Sequence, residues 1–132
     1  MADTDRSIVF VDDLRTLRIS PPGIKYIRST DAALLYLLDL WMMQEWGYAD
    51  EIDELWLDHD MGGMNTTVPI AKFLEFTKVV TNNEPLRVKK ICVHTDNETG
   101  ARRLIHILER VGFNVERTPL AIDAVIWEPE AR

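Results

Sequence analysis

Three short runs carry the residues that could do chemistry together: Asp12-Asp13, Asp58-His59-Asp60 and His94-Thr95-Asp96-Asn97. Each follows an apolar stretch, respectively Ile8-Val9-Phe10-Val11, Leu55-Trp56-Leu57 and Ile91-Cys92-Val93. The second run continues into Met61-Gly62-Gly63, and a strand that ends in charge and then glycine usually ends at a site. Carboxylates aimed at one spot repel each other, and a divalent cation relieves the repulsion. Carboxylate oxygens and water suit Mg²⁺; a histidine in the shell shifts the preference toward Mn²⁺ or another transition ion. Carboxylate and imidazole together can also move a proton. Taken singly, each run has an ordinary explanation as a solvated turn or a hydrogen-bonded structural residue. The case for chemistry depends on the fold bringing the three together.

The elements that must position them read as an alternation of strands and helices. Ser7–Val11 is a buried strand. The connection from Leu14 to Gly23 holds Pro21-Pro22, which forbid regular structure at its end, and is barely long enough for a parallel crossover, so the first helix is expected to be reduced or irregular. Ile24 to Arg28 alternates as a half-exposed strand does. Ser29-Thr30-Asp31 supplies an N-cap for a helix from Ala32 to about Trp46, stopped by Gly47. Leu55–Leu57 is a strand. Thr66 or Thr67 caps a helix with Pro69 in its first turn, running to about Val80. Lys90–Val93 is a strand, Glu98–Arg110 an amphipathic helix stopped by Gly112, and Phe113–Thr118 a further strand. Ala124–Trp127 is a candidate edge strand.

Apolar strands alternating with helices indicate a parallel sheet. The expected fold is a single α/β domain over residues 1–132. It is a flavodoxin-like three-layer sandwich with five mostly parallel strands in the order 2-1-3-4-5, and residues 1–6 and 129–132 are expected to be flexible tails. In that order the first, third and fourth strands are neighbours, and their C-terminal ends form the edge where ligands bind. All three chemical runs lie on that edge. The helix starting near Glu98 points its amides there, a natural place for phosphate, with Gly100, Arg102 and Arg103 in its first turns.

Asp12-Asp13, Asp58 and Thr95 at these positions resemble the receiver domains of two-component signalling. Val11-Asp12-Asp13-Leu14-Arg15, Leu57-Asp58-His59-Asp60-Met61-Gly62 and His94-Thr95-Asp96-Asn97 resemble more closely the cyclic-phosphate-processing receiver domains, which include stand-alone and phage-borne proteins. That resemblance implies phosphoester chemistry, on a small phosphorylated ligand or a cyclic phosphate at an RNA end, with His59 and His94 as the family's added histidines. The expected assignment is Asp12, Asp13 and Asp58 as ligands of Mg²⁺ or Mn²⁺, and His59 with His94 as the acid–base pair beside Asp58. Asp60 binds metal or orients a histidine, while Thr95 and Asn97 hydrogen-bond the phosphate, with Arg102 and Arg103 as further phosphate contacts. Signalling receivers carry a lysine after the fifth strand; here the segment is Glu116-Arg117-Thr118-Pro119. Arginine is not equivalent to lysine, which disfavours the third reading, an aspartyl-phosphate acceptor at Asp58.

The bulk composition bounds the partners. With 22 acidic against 15 basic residues and a net charge of -7, the chain lacks the broad basic face that duplex DNA requires. One cysteine, Cys92, permits no internal disulfide and fits a reducing, cytoplasmic setting. No apolar run is long enough to span a membrane. The helix carrying Leu34, Leu35, Leu37, Leu38, Trp41, Met42 and Trp46 is apolar on nearly every side. Its surplus is either deep core or an interface through Trp41, Met42 and Trp46, for a homodimer or a host protein if the chain is a phage protein. In that alternative the domain is a non-catalytic pseudo-receiver.

Overall fold

The computed structural model describes residues 7–17, 22–80, 84–118 and 124–126. Strands β1 (Ile8–Val11), β3 (Ile24–Ile27), β4 (Ile52–Leu57), β5 (Val88–Val93) and β6 (Val115–Arg117) form one sheet in the order β3-β1-β4-β5-β6. All four pairings are parallel. This is the expected flavodoxin-like order. β1 lies between β3 and β4 with all four residues buried, which is why its sequence is an unbroken apolar run.

Residues of alternate parity face opposite sides of the sheet. Val9, Val11, Leu55, Leu57, Ile91 and Val93 join the larger core with α1 (Thr30–Glu45), α2 (Val68–Val79) and α3 (Glu98–Arg110). The three helices therefore pack on one face, side by side. Ile8, Phe10, Trp56 and Cys92 form a second, smaller cluster on the other face. Among the described residues no helix contributes to that cluster. Cys92 is buried there, and burial pushes its thiol up to about 11, the state of an inert packing residue.

The connection after β1 contains a strand where a reduced helix was expected. β2 (Arg15–Leu17) pairs antiparallel with β7 (Ala124–Ile126), with Arg15 opposite Ile126. The C-terminal strand thus forms, but in a separate two-stranded sheet rather than on the edge of the main one. The physical cause is local. Asp12 Oδ1 accepts from the backbone N–H of both Leu14 and Arg15 at 2.8 Å, turning the chain straight out of β1. The short path to β3 then leaves no room for a crossover helix. The expected tails at 1–6 and 129–132 lie outside the described residues, as does Trp127.

The helices begin and end where their local chemistry places them. The Ser29 hydroxyl accepts from Ala32 N at 3.1 Å, one residue pair earlier than a start at Ala32 implied. Asn97 caps α3 through Gly100 N at 2.8 Å. α2 departs from the simple cap: the Thr67 hydroxyl makes no cap bond but donates to the Asp58 carbonyl. Thr67 N donates to His59 O at 2.9 Å. The start of α2 is thus clamped to the end of β4, which fixes the backbone of the central chemical run.

Candidate functional site

The sheet edge brings the three runs together. Oxygens of Asp12, Asp13 and Asp58 lie within 4.8 Å of one another. Asp12 and Asp58 are buried and Asp13 is partly so. Asp12 is tightly held: Oδ1 takes the two backbone N–H bonds and Oδ2 meets His94 Nε2 at 2.9 Å. Burial raises the Asp12 pKa, but the His94 bond and the two backbone donors outweigh it, so the carboxyl sits below its ordinary value. Asp58 goes the other way. Burial and the neighbouring Asp12 charge raise it, and bonds from the Thr95 hydroxyl and His59 N offset this only in part. Asp13 is also raised, by burial and again by Asp12. Two carboxylates strained toward protonation beside a third that stays ionised form an under-compensated anionic cluster. Their donor atoms are all hard oxygens, so the residues present fit Mg²⁺ or Mn²⁺.

The glycine turn leaves room for the Asp13 carboxylate. Gly62 has φ +96°, and a Cβ there would lie 3.3 Å from Asp13 Oδ2. Met61 N donates to Asn65 O and Asn65 N to Gly62 O, so the turn folds back toward Thr66.

His59 and His94 occupy different environments, and no hydrogen bond joins them. The His59 imidazole lies against the backbone of α3: a Cβ on Gly100 would sit 2.4 Å from its Cγ. Its Nδ1 is 2.9 Å from Asp60 Oδ1. A carboxylate only accepts, so Nδ1 is the donor of this pair. The His59 side chain keeps 12% of its surface exposed and lines no part of the neighbouring cleft, whereas Nδ1 of His94 is the only buried side-chain nitrogen or oxygen without a partner among the described residues. His94 has no exposed surface. It stacks on Phe10 at a centroid distance of 4.6 Å and tilts against Trp56 at 5.7 Å. A ring with no solvent access cannot meet a substrate directly. The geometry gives His94 the task of holding Asp12, which corrects its expected place in an acid–base pair.

Other expectations shift as well. Asp60 is not in the carboxylate cluster; it is exposed, it holds His59, and it accepts from Asn97 Nδ2 at 3.3 Å. The His59 bond is the largest cause of its lowered pKa. Gly100 leaves no opening for a phosphate, because the His59 ring fills the space over it. Arg102 and Arg103 are exposed on α3 and line no part of the cleft; Arg102 pairs with Glu98 at 3.4 Å. Helical periodicity turns them outward because Ala101 and Leu104 face the core.

A cleft of about 260 Å³ opens at this edge. Four carboxylates line it, from Asp13, Asp58, Asp60 and Asp96, with Arg15, Thr95 and Asn97. Arg15 is the residue that sequence reasoning missed. Its guanidinium Nη1 lies 3.5 Å from Asp58 Oδ2 and 3.7 Å from Asp12 Oδ2, and Nη2 lies 3.3 Å from Asp96 Oδ2. The spacing from Asp12 to Arg15 carries little signal by itself; the turn into β2 decides where the guanidinium lands.

A family model described as the cyclic-phosphate processing receiver domain matches residues 7–110. The chain belongs to that family. No curated protein and no solved structure matches it. Arg117 Nη2 donates to Thr95 O at 2.7 Å and Nη1 to Glu98 Oε1 at 3.0 Å. Its charge is engaged with the end of β5 and the start of α3, not aimed into the cleft.

The apolar helix of this receiver domain splits by residue. Trp41 is 8% exposed; its Nε1 donates to Glu84 O at 2.6 Å and it meets Phe73 and Phe76 edge-on. It is core, which corrects its assignment to an interface. Met42 and Trp46 are exposed, as are Leu35 and Leu38. Among the described residues no helix is long and apolar enough to cross a membrane.

Proposed function

We propose that this receiver domain processes a phosphoester, with a cyclic phosphate as the favoured substrate class, in a reaction that depends on a divalent cation. The observation that carries the reading is the meeting of Asp12, Asp13 and Asp58 within 4.8 Å, with Asp13 and Asp58 lining the cleft and Asp12 buried behind them. A cleft lined by four carboxylates and a single guanidinium repels a phosphate on its own. A cation reverses that sign, so phosphate recognition and metal binding are linked.

Asp12, Asp13 and Asp58 would hold Mg²⁺ or Mn²⁺, which supplies Lewis-acid stabilisation of charge on the phosphoryl oxygens. The remaining work falls to the chain itself. His59, held by Asp60 beside the cleft rather than in its lining, would take a proton from the attacking water through Nε2. Water adds at phosphorus, one ester P–O bond breaks, and the departing ribose oxygen takes up the proton that His59 accepted from the water. Thr95 and Asn97 line the cleft; the Asn97 amide, with one hydrogen on Asp60 and a second to give, would donate to a phosphoryl oxygen, and Thr95 would do so only on release from Asp58. His94 keeps Asp12 oriented and ionised.

The test is turnover of a ribonucleoside 2′,3′-cyclic phosphate with and without Mn²⁺ or Mg²⁺. The expected result is cation-dependent opening to a phosphomonoester, reduced about 10²–10⁴-fold in His59→Ala, the range of a lost general base. Turnover that ignores both the cation and Asp58→Asn overturns the reading.

A second reading rests on the exposed apolar row of Leu35, Leu38, Met42 and Trp46 on α1. In it the domain binds a protein, either a second copy or a different partner, without catalysis. It requires that Trp46→Ala abolish association measured by sedimentation while Asp58→Ala leaves it intact.

A further inference from the structure

We propose that Arg15 is a built-in counter-ion that occupies the cation's place in the metal-free domain and becomes the phosphate clamp when a cation displaces it. The inference rests on the reading of Asp12, Asp13 and Asp58 as the cation site.

Three observations carry it. First, Arg15 Nη1 approaches the Oδ2 atoms of both Asp12 and Asp58, two of the three carboxylates that form the cluster. At 3.7 and 3.5 Å these are loose contacts rather than a closed bidentate pair, so the guanidinium neutralises the cluster without being locked to it. A divalent ion among the same oxygens and a guanidinium a few ångströms away repel, and both cannot occupy the spot. Second, the Arg15 backbone is anchored independently of its side chain. Arg15 N donates to Asp12 Oδ1 and its strand pairs with Ala124–Ile126. Displacement therefore moves the side chain alone and leaves its base at the cleft. Third, Nη2 already reaches Asp96, whose side chain is 80% exposed at the outer rim of the same cleft. A guanidinium released from Asp12 and Asp58 is thus retained at the rim, beside Thr95 and Asn97. It is the one cation lining the cleft among the described residues, since Arg117 is bonded to Thr95 O and Glu98. Its planar fork matches phosphoryl oxygens.

The exchange predicts opposite effects of one substitution on two ligands. Removing the positive charge should strengthen cation binding and weaken phosphate binding. Calorimetric titration of the full chain with Mn²⁺ compares the wild type with Arg15→Met and Arg15→Gln, two neutral replacements that leave the backbone bonds in place. The expected result is at least tenfold tighter Mn²⁺ binding in both. Thermal melting at saturating Mn²⁺, with and without inorganic phosphate, gives the second readout: phosphate should raise the Tm of the wild type and have no effect on either variant. Equal or weaker Mn²⁺ binding in the variants, with binding intact in the wild type, overturns the role of Arg15 and leaves the metal site standing. A phosphate-induced rise that survives in the variants overturns the clamp. Failure of wild type and variants alike to bind Mn²⁺ overturns the cation site and this inference with it.

Discussion

Gly100→Ala should reverse the sign of its effect on stability depending on whether His59 is present. Gly100 lies inside α3, where alanine is ordinarily preferred by about 1 kcal/mol. In this domain the added methyl would lie 2.4 Å from His59 Cγ, 2.6 Å from Nδ1 and 2.7 Å from Cδ2. Favourable carbon contacts lie near about 3.5–4 Å, so the ring must move by roughly 1 Å or more. Overpacking of this kind costs about 1–3 kcal/mol. The displaced ring also loses its 2.9 Å bond to Asp60, worth about 1 kcal/mol given the exposure of that carboxylate. Set against the helix preference, the net loss is about 1–3 kcal/mol, or roughly 3–10 °C in Tm. In a His59→Ala background the obstruction is gone, and Gly100→Ala should stabilise by about 0.5–1 kcal/mol. The assay is urea unfolding of the four chains of this double-mutant cycle in EDTA, so that cation binding plays no part. The expected coupling is about 2–4 kcal/mol, far above what independent sites show. The same sign in both backgrounds would refute the placement of the imidazole over α3. The same geometry links stability to chemistry, since a displaced His59 no longer has its tautomer held by Asp60.

Three further outcomes follow from the structure. His94→Ala removes a buried ring and leaves the ionised Asp12 short of a partner, so it should cost about 2–4 kcal/mol in chemical unfolding; a loss below about 1 kcal/mol contradicts a holding role for His94. Trp41→Ala should cost about 3–5 kcal/mol, whereas Trp46→Ala, at a residue 60% exposed, should change stability by less than about 0.5 kcal/mol, and equal losses would contradict the division of α1 into core and surface. The third concerns pH. Asp13 and Asp58 are raised, so without metal each favours folding below the unfolded value of about 3.9 and loses that contribution as pH rises through its folded value. Asp12 is lowered and acts oppositely, contributing above about 3.9 and losing its contribution only as pH falls through the depressed value. Mn²⁺ relieves the cost at Asp13 and Asp58 at neutral pH, so its stabilisation in thermal melts should shrink as pH falls through their raised values. A Mn²⁺ shift that does not shrink as pH falls from neutral to the ordinary carboxylate value of about 3.9 would count against these ligands.

The strand order was legible because β1 throughout, and the C-terminal halves of β4 and β5 at Leu55–Leu57 and Ile91–Val93, are buried on both faces and so read as apolar runs. With that order, the meeting of Asp12, Asp13 and Asp58 at one edge was legible too, because strand ends in a parallel sheet are fixed by topology alone. β2 was not legible. Three residues, Arg15–Leu17, carry no period long enough to read, and their pairing partner lies more than a hundred positions away in the chain. Side-chain roles were less legible still. His59 and His94 look equivalent in the sequence, each following an apolar strand. Only packing separates them: His94 turns to the Phe10 and Trp56 face, while His59 lies over the bare backbone of Gly100.

Residue type and period by themselves determined the sheet, its order and the edge at which three carboxylates meet. They did so because burial imposes a one-dimensional pattern on strands and helices. The tertiary structure alone decided which histidine reaches solvent, that Arg15 rather than Arg102 or Arg103 lines the cleft, and that Trp41 is core while Trp46 is surface. Each of these depends on contacts between residues far apart in the chain, at distances where a turn of a few residues moves a side chain from the site to the solvent.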